Sequence, residues 1–251
     1  MSLLNQRLWL TVLSMSLGLT LLTPPPPADA RVKFVPPSGL GVPGRRVPGG
    51  SRGNDCISRG TPLTALVPQS NVGLTTSATP TVFFYLPRTS ASMLELALRD
   101  SKTGTVYRNS YKTIAKSGVV GFRLPTQLAV GRSYKWSFSI VCNPSDRSLN
   151  TFVEGSIQRV SAPQLLKRIN QAPVPERVAL FAQAGIWQDC LTALAELRRD
   201  RPADAKLKAD WEALLSGTGV GLDQIVRTQA PIVLVQDVSQ SLVMNPSASV
   251  R

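Results

Sequence analysis

The stretch Tyr134-Lys-Trp-Ser-Phe-Ser-Ile-Val-Cys142 alternates without a break. Tyr134, Trp136, Phe138, Ile140 and Cys142 fall on one face, and Lys135, Ser137 and Ser139 on the other. A period of two held over this length fits a strand with one buried and one wet face, and it does not fit a helix. Residues 61–160 repeat the theme. Thr81-Val-Phe-Phe-Tyr-Leu stops at Pro87, and Leu94, Leu96 and Leu98 alternate with Glu95, Ala97 and Arg99. Asp100-Ser-Lys-Thr-Gly reads as a turn, with Thr105–Asn109 as the return strand. Gly118-Val-Val-Gly-Phe-Arg-Leu stops at Pro125, and Thr151–Val160 closes the series. Six or more short strands with no helix between them imply an antiparallel sandwich of the immunoglobulin kind.

From residue 161 the period changes to 3.6. Helices are expected over Pro163–Gln171, Pro175–Ala184, Trp187–Arg199, Ala203–Leu215 and Leu222–Val226, with Pro175 at a first helical position and Gly185 just past an end. Ile232–Val238 has the composition of a strand, and 239–251 reads as a frayed end. The expected class is α+β, mainly β: an immunoglobulin-like antiparallel β-sandwich (61–160), a small α-helical C-terminal domain (161–230) and a tail (231–251).

The chain's opening points to export. Arg7 precedes an uncharged, leucine-rich run from Leu8 to Leu22; four prolines follow, then Ala28-Asp-Ala30 before Arg31. That is the order of a signal peptide, with the cut expected between Ala30 and Arg31. An uncleaved anchor is the weaker reading, because a membrane span needs about 20 apolar residues. No cysteine lies near the cut to carry a lipid. The expected location is the periplasm, cell envelope or extracellular space, with no span in the mature protein.

Residues 31–60 are rich in Pro, Gly and Arg and read as an extended basic arm. Gly39, Gly41 and Gly44 match G-x-G-x-x-G, but Pro36, Pro37, Pro43 and Pro48 deny it the flanking strand and helix of a nucleotide site. Net charge is +13. Export points that charge at acidic glycan or anionic lipid rather than nucleic acid, with Arg45, Arg46, Arg52 and Arg59 as the contacts; plain solubility charge is the bland alternative.

The chain has no histidine, which removes Ser-His-Asp and Cys-His catalysis and histidine-ligated zinc. The acids of 61–160, Glu95, Asp100, Asp146 and Glu154, sit on a wet face or in turns, and those of the helices, Asp210 among them, read as a solvated face. No enzyme, cofactor or metal is expected. An oxidising compartment allows Cys56 and Cys142 to pair; Cys142–Cys190 or three free thiols are the alternatives. Cys190 reads as a small buried hydrophobe.

Several runs resemble a known family. They are Gly49-Gly-Ser-Arg-Gly leading to Cys56, Thr64-Ala-Leu-Val-Pro, Pro80-Thr-Val-Phe-Phe-Tyr-Leu-Pro, the Tyr134-x-Trp-x-Phe strand to Cys142, and Gly155-x-Ile-x-Arg-Val. Gly185-Ile-Trp187 through Leu194, Leu197-Arg-Arg, Pro202 and Asp210-Trp211 complete the pattern. Over nearly all of 32–230 the chain resembles the cyanobacterial "domain of unknown function 928" family. The resemblance implies an exported envelope protein without an assigned activity; Cys190 departs from the pattern, so no role carries over to it. Gly185, Trp187, Cys190, Leu194, Leu197 and Pro202 are also spaced as in a tetratricopeptide helical hairpin, a peptide-binding unit; core packing of a helical appendage is the plainer reading.

Three functions follow as expectations. The first is a non-enzymatic interaction or assembly module that meets another envelope protein through the helical hairpin around Trp187 and Trp211, with an exposed apolar patch there, or through a sheet edge. The second is an electrostatic binder acting through the basic arm. The third, a histidine-free hydrolase, requires a cleft that holds two acids within about 10 Å of each other.

Overall fold

The structure, a computed structural model, describes residues 31–49, 56–113 and 116–235. The expected signal segment, Arg52 and the end from 236 lie outside the described residues.

The described residues form nine strands in two sheets. The five-stranded sheet has the order β2 (Val72–Thr75), β8 (Thr151–Arg159), β7 (Ser133–Val141), β4 (Met93–Asp100), β5 (Gly104–Lys112). The four-stranded sheet runs β1 (Thr64–Ala65), β3 (Thr81–Leu86), β6 (Gly118–Arg123), β9 (Ile232–Val235). Among the described residues five α-helices follow β8: α1 (Pro163–Gln171), α2 (Val174–Gln183), α3 (Trp187–Asp200), α4 (Ala205–Ser216) and α5 (Asp223–Thr228). The class is α+β and mainly β, with the helices C-terminal, as expected. Among the described residues no helix is long and apolar enough to cross a membrane.

Two pairings are parallel, β2 with β8 and β6 with β9, so both sheets are mixed rather than purely antiparallel. Strands joined by a tight turn must run antiparallel. The two parallel pairs join strands far apart in sequence, where a long crossover lets the chain return in either direction.

The arrangement has three layers, which explains the strand patterns. The sheets face each other across Phe84, Phe122, Trp136 and Phe138, with Phe84 and Phe138 stacked at 4.1 Å. The other face of the four-stranded sheet, through Phe83, Tyr85 and Val119, packs under the helices. β3 and β6 are therefore covered on both sides and read as unbroken apolar runs. β7 has one wet face, so it alternates. The helices share a core with the central sheet and have none of their own, so 61–160 and 161–230 are successive in sequence but fused in packing.

The basic arm is the main departure. Residues 31–49 are extended, as expected, but they are bound as a strap. Val32 and Phe34 are buried, with Phe34 edge-on to Trp187 at 4.9 Å. The Val35 N–H donates to the Ala182 carbonyl and the Val42 N–H to that of Ser70. Arg45 and Glu154 exchange two backbone hydrogen bonds. Gly44 permits that approach: a Cβ there would lie 1.4 Å from the Asn71 side chain. The glycines of the G-x-G-x-x-G match thus belong to the strap.

Candidate functional site

The residues singled out in the sequence do not converge on one site. Cys56 and Cys142 are joined, with 5.6 Å between their Cα atoms. The bridge ties the segment before β1 to the end of β7. Cys190 is fully buried and free, its Sγ–H directed at the Val178 carbonyl. Burial, with Asp189 and Asp210 nearby, pushes its thiol far above the ordinary range, so it is not a nucleophile.

Trp187 and Trp211 are 0% and 5% exposed. Trp187 also spends its indole N–H on the Leu66 carbonyl at 2.8 Å. This corrects the expected apolar patch: both rings fill the core between helices, strap and sheet, because such large apolar areas are buried first.

The arginines separate. Arg46 is half-buried, donates to the Val220 carbonyl at 2.8 Å, and is shifted down by burial. It fastens the strap to the loop after α4 and is not a free surface contact. Arg59 is exposed, at the other end of the segment. Arg45 is exposed, with its guanidinium 4.6 Å over the Phe152 ring.

Phe152 lies on the outer face of the five-stranded sheet, and so Arg45 joins a wider basic surface there. Alternation puts Arg99 of β4, Arg108 and Lys112 of β5, and Lys135 of β7 on the same face, all exposed. Arg99 and Lys135 are direct cross-strand partners. Like charges in that position repel. Among the described residues none of these five cations makes an ion pair. The two acids on the face are Glu95, which is paired with Arg147 at 3.2 Å, and Glu154. Ser137, Ser139 and Ala97 keep the surface between them low.

A separate cleft of about 280 Å³ opens between α3 and the adjoining ends of β2, β3, β6 and β9. Its walls include Ser77, Arg123, Phe181, Gln188, Asp189 and Glu196. Asp189 accepts from the Thr75 and Thr76 hydroxyls, each at 2.6 Å, and from the Thr76 N–H at 3.1 Å. Burial raises its pKa, and those donors pull it back. The carboxylate is a clasp between the first turn of α3 and the end of β2. Gln188 is 1% exposed, and neither its amide oxygen nor its nitrogen has a partner among the described residues. Gly73 makes room for it, since a Cβ there would lie 2.4 Å from Nε2.

Sequence reasoning missed this cleft because Gln188 and Asp189 open a helix whose other residues read as core. The cleft does hold two acids, Asp189 and Glu196. They stand seven residues apart on one helix, about 10 Å in rise, on one wall. That spacing is about the one the hydrolase reading expects, but both acids lie on one wall where a hydrolase needs carboxyls flanking the bond, and Asp189 already accepts three hydrogen bonds.

No curated protein and no solved structure matches the chain. The sequence model of the family described as Domain of Unknown Function (DUF928) matches residues 47–230, and the chain belongs to that family.

Proposed function

We propose that this is an exported, non-enzymatic cell-envelope protein, an interaction module whose contact surface is the basic outer face of the five-stranded sheet and whose partner is an acidic glycan. The cross-strand pair Arg99–Lys135 carries the reading. Two exposed like charges held in register, with Arg108 on the next strand, are a cost to the free protein that a polyanion relieves. The opening segment, with its Ala28-Asp-Ala30 cut, supports export, and the lack of histidine supports a binding role over imidazole catalysis. Small polar side chains between the cations favour a polymer over a lipid surface, which would draw on apolar side chains to insert.

The test is binding of the protein starting at Arg31 to polygalacturonate, with phosphatidylserine vesicles as the comparison, at low and high salt. Binding to the polymer should fall steeply with salt, and R99S/K135S should weaken it about tenfold, roughly 1.4 kcal/mol. Equal binding by that variant would overturn the sheet-face assignment; stronger binding to the vesicles would move the partner to lipid.

One observation favours a second reading, docking of an envelope protein by strand addition. Among the described strands β5 pairs with β4 alone, leaving an open edge along Gly104–Lys112. A partner retained at high salt that protects the β5 amides from hydrogen exchange would establish it.

A further inference from the structure

Asp210 lies in the middle of α4 on its buried stripe, between Leu207 and Trp211, and is 1% exposed. This corrects its reading as a solvated acid. Three donors reach its carboxylate, all from two residues at the start of the strap. The Arg31 backbone nitrogen is 2.6 Å from Oδ1, the Val32 N–H 3.3 Å from Oδ1, and Arg31 Nη2 2.8 Å from Oδ2. Val32 and Phe34 then enter the helical core. A buried carboxylate demands a charged partner, and the Arg31 guanidinium, nearly half exposed, is a weak one.

The expected processing cut falls between Ala30 and Arg31. We propose that Asp210 is a receptor for the new amino terminus, so that removal of the signal segment completes the ion pairing of the helical layer. In the cut, water adds across the peptide bond. Ala30 leaves as a carboxylate that holds the water's oxygen, and the Arg31 nitrogen gains both of the water's protons to become an α-ammonium. A neutral amide N–H beside Asp210 thereby becomes a cation at charge-assisted hydrogen-bond distance. Asp204, which caps α4 and also feels the Arg31 charge, and the Cys190 thiol, which feels Asp210, are titratable groups coupled to the pair. The inference rests on the export reading above.

The test compares the protein starting at Arg31, released from a fusion by a protease that leaves no extra residue, with one carrying Gly-Ala before Arg31. Each is made with Asp210 and with Asp210→Asn. The extension should lower Tm by about 3–10 °C with Asp210 present and have little effect with Asn. An equal or absent effect in both backgrounds overturns the receptor role. Should Asp210→Asn fail to fold, carbamylation of the α-amine with cyanate decides: the wild-type amine should react more slowly than that of a free Arg-Val peptide and lose Tm once modified, and ordinary reactivity without loss overturns the pairing. The intact mass of the protein exported by cells making the full chain separates the two ideas. A start at Arg31 leaves only the receptor role at stake; another start removes the cut itself, and with it the processing role.

Discussion

Gln188 and Asp210 are buried polar residues on apolar helix faces, and their partners set their meaning. Asp210 has three donors; Gln188 has none among the described residues. An unpaired buried amide costs about 1–3 kcal/mol, whereas an apolar replacement of similar shape is close to neutral. Gln188→Leu should therefore leave urea-unfolding stability unchanged or raise it by up to about 2 kcal/mol. A loss beyond about 1 kcal/mol would mean that the amide has a partner in solution. From the sequence Asp210 is misread as a solvated acid, although it shares a helical stripe with Leu207, Trp211 and Leu214. Its donors are not legible there, since they lie 178 and 179 residues away.

The strands and helices with clear periodicity could be read from the sequence to within a few residues. The missed elements are the short β1 and β2 and the strap. Two or four residues give too little pattern to register. In the strap, Val32 and Phe34 alternate with Arg31 and Lys33, a weak period of two that the following prolines and glycines obscure. Its burial has a measurable consequence. Phe34→Ala removes a ring packed on Trp187 and should cost about 3–4 kcal/mol in chemical denaturation. A freely moving arm would show a change near zero.

Two long-range ties hold the whole molecule. The strap fastens sandwich to helices, and Cys56–Cys142 closes 86 residues of separation. In the chain-entropy account a loop of that size contributes about 4 kcal/mol, through the unfolded state. Cys56→Ser with Cys142→Ser should lower stability by up to that amount in equilibrium unfolding; no change would show that packing alone places the segment before β1. The sequence by itself determined the class and the succession of strands and helices, because each is written in local periodicity or composition. Tertiary structure decided that the helices share a core with the central sheet, that the two tryptophans are interior and that the basic surface lies on a sheet face. Those outcomes depend on which distant segments meet, and a residue's neighbours along the chain carry no record of that.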